Sequence, residues 1–189
     1  MMKVYQEITL LPGAEISAGF LWQKLYQPLH MLMVETQDKS AEHWISVSFP
    51  QYTQKFLGHK LRVFAQTEEA LQNFQLKKLL NKFEDYMHIT NIRSVPEGAG
   101  LVVFKRYQSK QKSLSQAKRF AKRNDMALED AFKLLNQKDP KRLPFIQLKS
   151  LSTGQNVIRI HVQKQDVKPN VDHPRVFNAY GLKNPVPDF

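Results

Sequence analysis

Six histidines, at positions 30, 43, 59, 88, 161 and 173, are the first side chains to weigh for chemistry. None stands at metal-ligand spacing from another histidine or from a glutamate, so a metal site is not expected. The chain has no cysteine, which excludes disulfides, iron–sulfur clusters and thiolate zinc sites. No phosphate-cradling glycine loop and no paired carboxylates of a two-metal nuclease are evident. Hydrolytic or transesterification chemistry would therefore rest on general acid–base groups. His30 is the histidine worth weighing for that work. It lies on the first predicted helix roughly opposite Leu21, off the apolar stripe, which makes it a poor core residue. Periodicity alone favours the plainer alternative, an exposed surface histidine. Pro28 removes a hydrogen bond inside this helix and is expected to kink it.

Arg106 and Gln108 form a second constellation. Two residues apart on an extended segment, they project to the same side. Arginine pairs bidentately with guanine and glutamine with adenine, so the two suit base reading. They open a stretch from Lys105 to Arg123 that carries eight positive side chains and no carboxylate. Lys118, Arg119, Lys122 and Arg123 fall in one sector of a helix, with Leu114, Ala117, Phe120 and Ala121 opposite. Ser113 and Gln116 read as the capping box that starts it, giving a helix over 113–124. A solvated surface helix is the ordinary reading of such a run. Surface helices of that kind intersperse glutamates for i,i+4 pairing, and this one has none.

The whole chain supports a polyanion partner. Its 189 residues carry a formal charge of +11, with an isoelectric point of about 9.8. Such a field draws phosphates inward. Nucleic acid is favoured over a membrane surface, because two of the four residues opposite the cations of the basic helix are alanines, where a membrane helix would carry bulky apolar groups. No stretch reaches membrane-spanning length and no signal-peptide core is visible, so a reducing cytoplasm is the expected setting.

These groups need a scaffold. Val4, Gln6, Ile8 and Leu10 alternate with Tyr5, Glu7 and Thr9 as a strand. Ser17 caps a helix with the stripe Leu21, Leu25, Leu29, Leu32 and Met33. Strands follow at Ile45–Phe49 and Leu61–Ala65, then a helical region opened by Thr67, Glu68 and Glu69. Met87 to Val95 makes a fourth strand. The order β-α-β-β-α-β is the ferredoxin-like unit, and it predicts a first domain over 1–96. The second domain, 97–189, is less regular. It has an extended Leu101–Gln108, the basic helix, a helix capped by Asp125, strands at Phe145–Ser150 and Val157–Val162, and an apolar Val176–Leu182 before a proline-rich end. The fold class is α+β, a ferredoxin-like (RRM-like) domain with a smaller irregular α/β domain.

The chain resembles the subtype I-F CRISPR endoribonucleases, which cut precursor CRISPR RNA within each repeat. The likeness runs along nearly the whole chain. It is densest in Val47-Ser48-Phe49-Pro50, Leu143-Pro144-Phe145, Ser150-Leu151-Ser152-Thr153-Gly154-Gln155 and Tyr180-Gly181-Leu182. That resemblance implies a short RNA hairpin as substrate, cut at the 3′ base of its stem with no metal or other cofactor. By the same likeness His30 matches the catalytic histidine, Ser150 the serine that holds the reacting ribose, and Tyr180 the tyrosine that positions the histidine. Arg106 and Gln108 fall on the base readers at the bottom of the stem. Arg119, Lys122 and Arg123, with Lys118 beside them, fall on the helix in the groove of the hairpin, and Ser152, in the Ser150–Gln155 motif, is expected to bind RNA. The resemblance also implies a product that stays bound and joins the other subunits of the subtype I-F surveillance complex.

Val157 departs from the pattern, standing where the family uses a phenylalanine to stack on the terminal base pair. Lys122 replaces an arginine and puts a point charge where a planar fork would sit. The segment between His30 and Val47 is a few residues longer than the pattern. The alternative is a non-catalytic subunit that only holds a hairpin. Against it, mere holding needs no histidine. A DNA-binding regulator fits the charge but not the β-α-β-β-α-β half.

Overall fold

A computed structural model of the chain describes residues 2–13, 15–36, 40–108, 112–136, 143–149, 157–167 and 175–189, with Glu42 as backbone alone. It divides into two compact units, one of Met1–Tyr107 with Leu143–Phe189, the other of Gln108–Arg142.

The first unit opens with β1 (Val4–Leu10), α1 (Ala18–Glu35), β2 (Ser46–Ser48), β3 (Lys60–Ala65), α2 (Glu68–Phe74), α3 (Leu76–Leu79) and β4 (Met87–Ile89). The strands pair antiparallel in the order β2-β3-β1-β4, which is the ferredoxin-like arrangement. Local chemistry sets the helix starts. The Ser17 side chain accepts from the Phe20 N–H and that of Thr67 from Ala70, each filling an orphan donor of the first turn. A left-handed Gln75, at φ 46°, separates α2 from α3.

The expected strand at 87–95 is instead two short pieces, both paired with β1. β4 lies opposite Ile8–Leu10, and β5 (Arg93–Ser94) opposite Val4–Tyr5. Between them the Thr90 N–H still donates to the Glu7 carbonyl, but the Glu7 N–H turns to the Thr90 hydroxyl and the Thr90 carbonyl accepts the Gln6 side-chain amide. Tyr5 and Glu7, which alternate with the core residues of β1, are buried as well. Tyr5 packs on Phe64 and Phe189. The Glu7 carboxylate is held by Lys60 at 2.7 Å and Arg62 at 2.8 Å.

A second sheet follows, β6 (Gly100–Tyr107), β7 (Phe145–Leu148), β8 (Ile158–Asp166) and β9 (Pro185–Asp188), antiparallel in the order β7-β8-β6-β9. β9 lies in the segment read only as proline-rich. Its prolines, two residues apart, lose both N–H groups on the same side of an edge strand, where no partner needs them. Phe104 of β6 meets Phe49 and Tyr52 edge-on, at 5.6 and 5.8 Å between ring centres. Ile146, Ile160 and Val162 join Leu25 and Leu29 in one core. The expected boundary at residue 96 falls between the two sheets, whereas compactness sets apart only Gln108–Arg142.

The second unit holds α4 (Leu114–Arg123) and α5 (Leu128–Asn136). The capping box at Ser113 and Gln116 is formed. Ala117 and Ala121 of α4 and Ala131 of α5 are buried, and such small side chains let two helices approach closely. Asp125 does not cap α5. At φ 48° it is a left-handed residue of the turn, while α5 starts three residues later at Leu128. Leu114, placed with the apolar side, is 60% exposed because it is the first residue of its helix.

Candidate active site

The site is built on α1. The helix runs on through Pro28 to Glu35, so Tyr26 and His30, four residues apart, lie one turn from each other on the same face. Periodicity set His30 apart from the apolar stripe, and the structure supplies what covers it. Residues 179–181 lie against this side of α1, and His30 is half-buried.

That covering segment is anchored one backbone group at a time. The Asn178 side chain accepts the Tyr180 N–H at 2.9 Å, and the Asn178 carbonyl accepts the Gly181 N–H at 2.8 Å, closing a tight turn. The Val47 N–H donates to the Gly181 carbonyl at 2.8 Å. Gly181 sits at φ +63°, and a Cβ there would come within 3.1 Å of Met33 and Val47, so the turn closes tightly only with glycine. The hydroxyl of Tyr26 donates to the Tyr180 carbonyl at 2.7 Å. Tyr26 is fully buried, and burial pushes its phenol up, which favours the protonated donor form.

His30 takes the neighbouring carbonyl. Its Nδ1 lies 2.7 Å from the Ala179 oxygen. A carbonyl only accepts, so Nδ1 carries the hydrogen, and in the neutral ring Nε2 is left as the acceptor. The imidazole stacks on the Tyr180 ring at 4.6 Å and 11°. The Arg106 guanidinium lies 5.5 Å from the centre of the same ring. His30, Tyr180 and Arg106, far apart in sequence, are therefore brought together. Nearby, Gln27 of α1 accepts the Lys149 N–H at 2.8 Å and so ties the end of β7 to the helix. Ser150 and Ser152 lie outside the described residues.

Gln108 is exposed and is the first residue of the second unit. In that unit Lys118, Arg119, Lys122 and Arg123 are all exposed on α4, and among the described residues no ion pair neutralises them. Among the described residues no three His, Asp or Glu side chains converge as metal ligands. No helix among the described residues is long and apolar enough to cross a membrane. Sequence reasoning missed Gln27, Asn178 and the structural role of Tyr26. Asn178-Ala179-Tyr180-Gly181 did carry a signal, since asparagine first and glycine fourth is ordinary turn chemistry.

Tyr180 thus bears both the tethered His30 ring and the Arg106 guanidinium, in a chain that also carries an exposed cationic helix. The model of the family described as CRISPR-associated protein (Cas_Csy4) matches residues 5–189. The chain belongs to that family. A relative in Escherichia coli (strain UTI89 / UPEC), named CRISPR-associated endonuclease Cas6/Csy4, is 28% identical over 96% of this chain and 95% of its own. Another of the same name, in Pseudomonas aeruginosa (strain UCBPP-PA14), is 26% identical over 96% and 95%. A solved structure described as "An RAMP protein binding different RNA substrates" covers 99% of both chains at 10% identity and a TM-score of 0.38, too slight a likeness to support any inference.

Proposed function

We propose that this protein is an endoribonuclease that processes CRISPR precursor RNA. It cuts at the 3′ base of the repeat hairpin without a metal ion and keeps the mature guide RNA. The observation that carries this reading is the tethered imidazole: His30 is held by its Nδ1 on a backbone carbonyl and by its face on Tyr180, which leaves Nε2 as the basic atom. Membership of the family and the names of the two relatives support the substrate class.

In this reading the ribose 2′-OH beside the scissile phosphate gives its proton to Nε2 of His30. The 2′-oxygen attacks phosphorus in line, and the bond to the 5′-oxygen breaks as that oxygen takes up a proton. The products are a 2′,3′-cyclic phosphate and a 5′-OH. A positioned base contributes about 10²–10⁴-fold, and fixed alignment adds to it. Tyr180 orients the imidazole and Ser150 holds the ribose. Arg106 and Gln108 read the closing base pairs, Ser152 contacts RNA, and Lys118, Arg119, Lys122 and Arg123 grip phosphates. We assign the scaffold to residues 1–96 and the RNA grip to 97–189, with the bound product passing to other subunits of the surveillance complex.

The test is cleavage of a synthetic repeat hairpin in excess chelator, followed by identification of the product ends. Cleavage yielding a cyclic phosphate, and its loss when the attacking nucleotide is a deoxyribonucleotide, supports the proposal. Cleavage that needs a divalent ion or leaves a 5′-phosphate contradicts it. A hairpin bound but never cut would point to a holding subunit.

A further inference from the structure

The two sheets of the first unit differ in what their outer faces offer. On the ferredoxin-like sheet the aromatic pair Tyr5 and Phe64 is closed off, with Tyr5 8% and Phe64 0% exposed beneath Phe189 and Arg62. The second sheet exposes Lys105, Phe145 and Arg159 on its outer face. In β7 and β8 the core takes Ile146, Leu148, Ile160 and Val162, so by strand alternation the odd-numbered residues face outward. That outer face carries Phe145 and Gln147 on β7, Arg159, His161 and Gln163 on β8, and Lys105 on β6, which pairs with Gln163. Phe145 is 42% exposed, with the Arg159 guanidinium 5.1 Å from its ring centre and the His161 ring 5.4 Å away, tilted. His161 is steadied in turn by the Leu143 carbonyl.

The composition of this face is informative. It has an exposed aromatic ring, a guanidinium lying over that ring, the side-chain amides of Gln147 and Gln163, and no carboxylate on the outward positions of β6, β7 or β8. A single exposed phenylalanine is ordinary on a protein surface, and what sets this one apart is the guanidinium over its ring and the cations around it. A protein partner's apolar patch would not call for the unopposed positive charge. Unpaired RNA suits every part: bases stack on aromatic rings and arginine planes, amides meet base edges, and cations meet phosphates.

We infer that the outer face of the second sheet, centred on Phe145, Arg159 and His161, is a stacking site for unpaired nucleotides of the RNA that flank the hairpin. The inference rests on the proposed RNA substrate and adds a site apart from His30. A base stacks on Phe145 or on the outer plane of Arg159, and Lys105 takes a neighbouring phosphate. The site adds affinity for an extended substrate and leaves a blunt hairpin unaffected.

The experiment compares the affinity of the full protein for a blunt hairpin and for the same hairpin with an unpaired extension, added on the 5′ side or the 3′ side in turn. One extension is expected to tighten binding by the worth of one stacked base, about five- to 150-fold. Phe145→Ala and Arg159→Ala should each remove most of that gain, Phe145→Trp should keep it, and blunt-hairpin affinity and cleavage should stay as in the wild type. A 2-aminopurine in the extension should lose fluorescence on binding the wild type and not the Phe145→Ala protein. The inference is overturned if neither extension tightens binding, or if the gain survives Phe145→Ala. Cleavage of the blunt hairpin reports the proposed function separately, so failure of one does not count as failure of the other.

Discussion

Replacing Tyr26 with phenylalanine removes one oxygen and leaves the buried ring in place. The lost atom is the donor to the Tyr180 carbonyl at 2.7 Å. A net hydrogen bond is worth about 0.5–1.5 kcal/mol, and leaving a carbonyl unsatisfied raises the cost towards about 1–3 kcal/mol. The carbonyl is only partly buried and the turn keeps its ties to Asn178 and Val47, so the cost belongs near about 1–2 kcal/mol. At about 2–4 °C per kcal/mol for a chain of this size, melting should fall by about 2–8 °C. Catalysis should suffer more than folding. The Ala179 carbonyl that fixes His30 is one residue from the released one, and a shift of about 1 Å in a catalytic group costs on the order of a hundredfold. The assay is single-turnover cleavage at saturating hairpin and at a temperature well below melting, with hairpin affinity measured alongside. We expect the rate to fall roughly ten- to a hundredfold with affinity within a few-fold. A rate within twofold of wild type, in a protein whose melting has fallen as expected, would refute the reasoning: the tether would then serve stability alone.

Arg106→Ala and Gln108→Ala should each cost about 1–3 kcal/mol of binding to the cognate stem and less when the closing pairs are changed, whereas an equal loss on every stem would reassign them to phosphate contact. Changing Lys122 and Arg123 together to alanine should flatten the salt dependence of hairpin affinity by roughly one to two units of slope while preserving the ratio between cognate and mismatched stems; an unchanged slope would mean that α4 does not meet the RNA. Glu7 gives a pH prediction. Burial alone would raise its carboxyl, but the hydrogen bonds and charges of Lys60 and Arg62 outweigh this and hold it below the ordinary value. Its contribution to stability is thus present above about pH 4.5 and lost as pH falls further towards the lowered folded value. Glu7→Gln should therefore melt lower than wild type at pH 7, with the gap closing below about pH 4.5; a gap constant from pH 7 to pH 3 would contradict the ion-pair account.

Much of the scaffold was legible because its signals are local. Ser17 and Thr67 start helices by capping, Ser113 and Gln116 form a capping box, and alternation in β3 marks its two faces. Readings failed where a long-range contact decided the matter. Alternation on β1 did not report that Lys60 and Arg62 of β3 would hold Glu7, and the single strand expected at 87–95 is two short pieces around Thr90. β9 was missed because proline usually argues against a strand, yet both prolines turn to a free edge. His30 illustrates the limit best. Helical periodicity put it off the core stripe, but its half-burial depends on a turn some 150 residues later, joined through |i−j| = 149, which no local pattern reports. The family likeness linked His30 with Tyr180, and the geometry gives that pair a physical form: stacked rings and a fixed Nδ1 hydrogen.

The central claim is that Nε2 of His30 takes the proton from the attacking 2′-OH. The most direct measurement is the single-turnover cleavage rate of His30→Ala on a saturating repeat hairpin, with hairpin affinity measured on the same protein. The account predicts cleavage lowered by at least about 10²-fold, with affinity within a few-fold of wild type. Cleavage by His30→Ala near the wild-type rate would contradict it.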